Sequence, residues 1–392
     1  MGVFEYVLGA LAAAAALPVL VLLAQVWAAL RDTGASPPPR ASRGRVAVLM
    51  PAHNEASVIA ATLRAVLPQL RSGERALVIA DNCTDDTARL AAAAGAAVLE
   101  RRDPEHPGKN EALEFGIRAL ASDPPDIVII VDADCQVEPA AIERLALECD
   151  AAARPVQALY LLFAPPAARQ TARVAEFAWI VKHWVRPLGM RRLGLPCQLM
   201  GTGTAFPWRA IAGFRIANAE MAEDYKFGIE MALAGFPALF CPEARVSSQF
   251  PATKATERVQ RTRWEHGHLS LILRELPRLV ACALRRRDLA LFGLAMDLMV
   301  PPLAFLALAL GTIFFGTLAL ALWTGVLWPL VLAAADASSF ATAMVLAWRR
   351  WGRNCVPLRS VLAMPLYALA KIPLYLRFVT NRQKVWIKTE RI

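Results

Sequence analysis

The sequence predicts a doubly wound, mostly parallel α/β domain carried between membrane-spanning helices. Three observations lead there. From Arg45 onward, short β-branched runs alternate with helical patterns at the spacing of βαβ units. Polar groups collect directly after three of these runs, at the strand ends where open α/β sheets bind ligands. Uncharged stretches flank the domain: Tyr6–Leu30 and Leu298–Leu322 each hold 25 residues without a charge, enough to cross a bilayer.

Composition points the same way. The 392 residues are 56% hydrophobic with a mean hydropathy of +0.39, both high for a soluble protein. The net charge of +10 suits an anionic surface. The arginines lie largely beside hydrophobic stretches and no nucleic-acid motif is present, so that surface is a lipid bilayer and not nucleic acid. The seven cysteines are scattered, with no C-x-x-C pair. That argues against a zinc site or a disulfide framework and fits a reducing cytosol.

The elements follow in order. Tyr6–Leu30 is a span, and Arg31, Arg40, Arg43 and Arg45 after it put the next domain in the cytoplasm. Residues 32–44 form a linker, with Pro37-Pro38-Pro39 as a stiff spacer. Val46–Met50 is a strand leading into the loop Pro51-Ala52-His53-Asn54-Glu55, then a helix over about 57–70. Ala76–Ala80 is a strand ending at Asp81, followed by a helix over 86–94 and a strand at Ala97–Leu99. Gly108-Lys109 precedes a helix over 111–122. Ile127–Val131, bounded by Pro124-Pro125, reads as a buried strand. Asp132 and Asp134 sit at its carboxyl end. Two such carboxylates are oxygen ligands for Mg²⁺ or Mn²⁺, which clamp phosphates; the competing reading is a turn or helix cap.

Ala158–Phe163 is a further strand. The segment 174–193 is basic, aromatic and amphipathic, as an interfacial helix or an ordinary surface helix would be. Gly201-Thr202-Gly203-Thr204 is a loop where backbone can approach a ligand. Glu223-Asp224 precedes a helix, and Gln260-Arg261-Thr262-Arg263-Trp264 lies in a helical stretch, with the α/β domain closing near residue 270. A connecting helix over 271–297 leads to two spans within 298–348. The second of these is interrupted by Asp336, to which no role is assigned. Val356–Phe378 is apolar but carries Arg359, Lys371 and Arg377 with three prolines. It reads as interfacial or re-entrant, ahead of a basic tail from Arg382 to Arg391, giving three spans in all.

Taken together, Pro-Ala-His-Asn-Glu at 51–55, Asp81, Gly108-Lys109, Asp132-Ala-Asp134, Gly201-Thr-Gly-Thr204, Glu223-Asp224 and Gln260-Arg-Thr-Arg263-Trp264 resemble the membrane-bound family-2 glycosyltransferases of the cellulose, chitin and hyaluronan synthase group. The resemblance covers more than half the chain. It implies a GT-A fold and inverting transfer of a hexose or N-acetylhexosamine from a UDP-sugar to a growing saccharide, in exopolysaccharide or oligosaccharide synthesis. It implies a multi-pass protein of a bacterial-type inner membrane with its catalytic domain in the cytoplasm, and other exopolysaccharide-pathway proteins as partners. It places Pro51, Glu55 and Asp81 at the nucleoside and Lys109 at the base or diphosphate. Asp132 goes to the ribose and, with Asp134, to the metal (Mg²⁺ or Mn²⁺). Asp224 is implied as catalytic base and Arg263 as a diphosphate contact. Gly201, Thr202, Glu223, Gln260 and Trp264 fall at the acceptor.

Competing readings exist for single residues. Asp224 is also a candidate helix cap, Arg263 an anchor for lipid phosphates, and Trp264 an interfacial aromatic. The chain departs from the family pattern at Ala222-Glu-Asp, where processive relatives carry Thr-Glu-Asp. It departs again at Ala80-Asp-Asn-Cys83, where Asp-Asp-Gly-Ser is common. Three spans also offer few walls for a polymer channel, so transfer to a polyprenyl-linked saccharide or a sphingolipid is the alternative. A catalytically silent membrane scaffold is the reading from another class. The intact carboxylates at 132, 134 and 224 speak against it.

Overall fold

The computed structural model describes residues 2–31, 34, 43–165, 169–216, 222–250, 254–361 and 364–380. The Pro37-Pro38-Pro39 spacer, Arg40 and the basic tail from Arg382 to Arg391 lie outside the described residues. Two compact units result: Thr33–Phe163 with Pro196–Phe250, and Met1–Asp32 with Ala164–Leu195 and Pro251–Ile392.

The first unit is a mixed, mostly parallel α/β domain of GT-A-like fold. Its strands are β1 (Val46–Ala52), β2 (Arg75–Asp81), β3 (Ala97–Arg101), β4 (Ile127–Ile130), β5 (Gln136–Val137), β6 (Val156–Phe163), β7 (Thr204–Pro207) and β8 (Leu239–Gln249). They form one sheet in the order β3-β2-β1-β4-β7-β6-β8-β5. The half read as βαβ units is parallel: Leu49 of β1 sits opposite Leu77 of β2 on one side and Ile130 of β4 on the other. Both faces of β1, β2 and β4 are covered, which is why these strands read as near-continuous apolar runs, whereas the edge strand β3 is largely exposed. Val48, Met50, Ile127 and Ile129 are fully buried there.

The other half holds the antiparallel pairings of this mostly parallel sheet. β7 runs antiparallel to β4 and to β6, and β5 antiparallel to β8. β7 is four residues long and ends at Pro207. Edge strand β5 is only two residues long. The helices α2 (Ile59–Val66), α3 (Thr87–Ala93), α4 (Lys109–Leu120), α5 (Ala141–Ala152), α8 (Trp208–Ile211) and α9 (Glu223–Leu233) complete this unit. α4 begins at Lys109, two residues before the expected start, after Gly108 at φ +138°.

The second unit holds α1 (Gly2–Leu30), α6 (Gln170–Ile180), α7 (Arg186–Arg192), α10 (Lys254–Arg286), α11 (Leu289–Met299), α12 (Leu303–Thr324) and α13 (Trp328–Ala347). Three short helices follow, α14 (Leu358–Val361), α15 (Met364–Leu369) and α16 (Ile372–Thr380). Among the described residues, three helices are long and apolar enough to cross a membrane: Val3–Leu30, Leu303–Thr324 and Trp328–Gly352. The expected start of the second span at Leu298 is corrected, because α11 ends at Met299 and α12 starts at Leu303. Pro301 and Pro302 lie between, and a proline lacks the N–H a continuing helix needs.

α1 packs along α13, α12 and α7. Close approach is possible because Gly9 leaves room for the Trp328 ring and Gly189 lies against the Gln25 carbonyl. Asp336 is buried on α13. The amphipathic segment 174–193 is α6 and α7 joined by a π turn at Val181–Val185. It is a packed element here and not a free surface helix. Arg186 is buried and donates to Gln25 Oε1 (3.1 Å) and Asp297 Oδ1 (2.8 Å), while Gln25 donates to the same Asp297 oxygen (2.7 Å). Burying these charges is tolerable because each is hydrogen-bonded. The stretch expected to be interfacial or re-entrant forms α14 to α16, whose longest helix has nine residues, too short to cross a bilayer.

Candidate active site

β2, β1 and β4 are neighbours in the sheet, and the loops at their carboxyl ends carry the polar groups anticipated from the sequence. The turn after β4 is pinned from several sides. Thr62 on α2 donates its hydroxyl to the Ala133 carbonyl at 2.7 Å, and Ser248 on β8 donates to Asp134 Oδ2 at 2.9 Å. The Asp132 amide donates to Thr202 Oγ1 at 2.9 Å. Thr202 is fully buried, so its hydroxyl serves the aspartate turn. Sequence reasoning placed it at the acceptor; a Thr between glycines gave no sign of this internal bond.

Lys109, the first residue of α4, reaches into the same turn. Its Nζ lies 2.6 Å from Asp132 Oδ1 and donates to the Gly201 carbonyl at 2.6 Å. Burial alone would lower the Lys109 pKa. The carboxylates of Asp132, Asp224 and Glu223 outweigh it and hold the ammonium above the usual lysine range. Burial pushes the Asp132 carboxyl up; Lys109 opposes this, and Asp134 and Asp224 reinforce it.

Asp224 occupies the first turn of α9, whose N-cap is Ala222 with no side-chain cap bond. The capping alternative therefore does not hold for it. Gly201, at φ +86°, lies directly against it: a Cβ built on Gly201 would stand 2.3 Å from Asp224 Oδ2. A cleft beside them is lined by Asn110, Leu113, Gly201, Phe206, Glu223 and Asp224 among others. Lys109, Asp132, Gly201, Glu223 and Asp224 are thus brought together by four separate chain segments.

The expected nucleoside residues lie on neighbouring loops. Pro51 is the penultimate residue of β1, paired with Ile79. The Glu55 amide donates to Thr87 Oγ1 at 2.8 Å. Asp81 is buried, with Oδ1 accepting from Arg101 at 2.6 Å and Oδ2 from the Gly108 amide at 3.3 Å. Asp81 therefore ties the loops after β2 and β3 to the start of α4. Arg101 was not anticipated, since an arginine at the end of a short strand carries no distinguishing pattern. Gln260, Arg263 and Trp264 belong to the other unit, on α10, where the Trp264 ring lies 5.0 Å from that of Trp179.

The donor atoms of Asp132, Asp134 and Cys135 lie within 4.8 Å of one another. Burial, with Asp134 and Asp132 close by, pushes the Cys135 thiol well up, so it stays protonated and is no ligand for a hard cation. The two carboxylates remain, and oxygen donors of this kind fit Mg²⁺ or Mn²⁺. Asp132 Oδ1 is paired with the Lys109 ammonium and Asp134 Oδ2 accepts from Ser248, so a divalent ion would share these carboxylates with those partners.

Comparison with known proteins identifies the family. Residues 43–267 match the family model described as glycosyltransferase like family 2. An uncharacterised glycosyltransferase of Mycobacterium tuberculosis is 31% identical over 191 residues, covering 42% of this chain and 82% of that protein. Glucosyl-3-phosphoglycerate synthase of the same organism is 37% identical over 101 residues, covering 24% of this chain and 30% of that one. Among solved structures, a mannosyltransferase from Pyrobaculum calidifontis, in complex with GDP-Man and Mn²⁺, superimposes over 96% of this chain and 100% of its own. The TM-score is 0.56 at 19% identity, a likeness of fold. The chain belongs to glycosyltransferase like family 2 and is a glycosyltransferase.

Proposed function

We propose that this enzyme is an inverting, metal-dependent membrane glycosyltransferase. It moves a hexose or N-acetylhexosamine from a UDP-sugar to a growing saccharide at the cytoplasmic membrane face, as the cellulose, chitin and hyaluronan synthase group does. The observation that carries this reading is the grouping of Asp132, Asp224 and Glu223 around the Lys109 ammonium, against a glycine turn with no room for a side chain. In this scheme an acceptor hydroxyl attacks the anomeric carbon from the face opposite the nucleotide. Asp224 takes its proton. The departing diphosphate gains negative charge, which Lys109 offsets at close range. Arg263 is assigned to the same diphosphate, and Gln260 and Trp264 to the acceptor, by the likeness of their motif. A divalent ion held by Asp132 and Asp134 would supply further neutralisation of the diphosphate.

The second reading, transfer of one sugar to a lipid-linked acceptor, is favoured by the three candidate spans. The test is nucleoside diphosphate release by the full chain in lipid nanodiscs. The panel holds UDP-sugars and, because the Pyrobaculum structure contains GDP-Man, GDP-sugars, with Mn²⁺ and sizing of the products. Release from one donor with a lengthening saccharide is the expected result. A single sugar on lipid would select the second reading, and no release from any donor with membrane lipid and oligosaccharides supplied would overturn both.

A further inference from the structure

The helix carrying the Gln-Arg-Thr-Arg-Trp motif presents two stripes. On an α-helix, side chains three, four and seven apart share a face. Gln260, Arg263 and Trp264 fall on one face, Arg261, Glu265 and His268 on another. The second stripe is gripped. Arg261 donates to the Tyr367 hydroxyl at 3.0 Å, with its guanidinium 5.7 Å from the centre of that ring. Glu265 receives the Lys371 ammonium on one carboxylate oxygen and the Tyr375 hydroxyl on the other. Lys371 also lies 4.7 Å from the centre of the Tyr367 ring. His268 meets the Leu298 carbonyl at 3.2 Å.

Tyr367 on α15, Lys371 in the turn after it and Tyr375 on α16 are spaced four apart and face the second stripe of α10. The pair at the centre of this contact is largely buried, with the Lys371 and Glu265 side chains 14% and 12% exposed. A buried ion pair tolerates only one geometry well, because any other leaves charge without a partner. Turning α10 by one residue, about 100°, would strip Glu265 of both partners and redirect Arg263 and Trp264 together.

We propose that Glu265 is a positioning residue: held by Lys371 and Tyr375, it fixes the rotation of α10 and so the aim of Gln260, Arg263 and Trp264 in sugar transfer. The proposal gives the segment 364–380 a part in the reaction, and it rests on the reading that Arg263 and Trp264 serve transfer. The test uses the full chain in nanodiscs with the donor found above. Three variants are compared: Glu265→Gln, Tyr375→Phe, which removes one oxygen only, and Arg263→Ala. Both kcat and the stoichiometry and Kd of UDP binding with Mn²⁺ are measured. The expected result for Glu265→Gln and Tyr375→Phe is a kcat lower by about ten-fold or more, as misaimed groups produce. UDP should still bind at full stoichiometry, with a Kd weakened as the Arg263 contact to the diphosphate is misaimed. Wild-type kcat in both, with Arg263→Ala impaired, would overturn the proposal. So would a fall in binding sites that matches the fall in kcat, since that reports unfolding alone. Wild-type turnover by Arg263→Ala would overturn the reading beneath it.

Discussion

Adding a single methyl group to Gly201 tests the heart of the site. In Gly201→Ala the new Cβ would stand 2.3 Å from Asp224 Oδ2 and 2.9 Å from its Cγ. A carbon and an oxygen need about 3.3 Å, so the carboxylate or the turn must yield by about 1 Å. A misplacement of that size in a reacting group costs about 10²-fold in rate, or ~2.7 kcal/mol of barrier. A second cost is conformational: alanine at φ +86° loses about 1–2 kcal/mol of stability. The two costs separate in a control. Gly73 has φ +84° with nothing within 4 Å of its would-be Cβ, so Gly73→Ala carries the backbone cost alone. Turnover, donor affinity and thermal unfolding of both variants form the assay. Both should unfold a few degrees earlier, and only Gly201→Ala should lose about 10²-fold in kcat. Wild-type kcat in Gly201→Ala, or equal kcat losses in the two, would refute the reasoning.

Further expectations concern the surroundings. Thr202→Val removes the buried acceptor of the Asp132 amide, which should cost about 1–3 kcal/mol of stability and weaken Mn²⁺ binding; unchanged unfolding and affinity would contradict it. Chelation with EDTA, or Asp134→Asn, should abolish transfer in a radiolabel assay, with Mn²⁺ restoring the chelated wild type and not the variant. Burial, aided by Arg186 and Lys371, pushes Lys182 from 10.5 down to about 8. Between those values the unfolded chain binds the proton the folded one has shed, so stability rises with pH across that window and is lowest below it. Lys182→Met should therefore outlast the wild type at pH 7, by at most about 3 kcal/mol. Denaturation followed by tryptophan fluorescence should show that gap closing as pH approaches 10.

β1, β2 and β4 were readable because each holds a continuous apolar run close to a proline or glycine. β8 was not: Leu239–Gln249 contains Pro242, Glu243 and Arg245, which break both the apolar run and any alternation. β7 carries too few residues for a pattern. The spans were legible from missing charges, whereas the break at Pro301-Pro302 fell inside the uncharged stretch Leu298–Leu322 and left no mark in its charge pattern. In the site, Lys109, Asp132, Asp134 and Asp224 were recognisable from residue type and order. What was hidden depends on meetings between distant segments: the Thr202 hydroxyl under Asp132, Arg101 against Asp81, and Glu265 between Lys371 and Tyr375. None of these pairs lies within a shared motif, and no periodicity marks them.

Asp224→Asn tests the central claim most directly. The full chain and this variant would be compared for binding of UDP with Mn²⁺ and for transfer from the cognate donor. Asparagine keeps the shape and loses the proton acceptor. Binding within about three-fold of wild type, with kcat reduced at least about 10²-fold, is the predicted result. Transfer by Asp224→Asn at the wild-type rate would contradict the account.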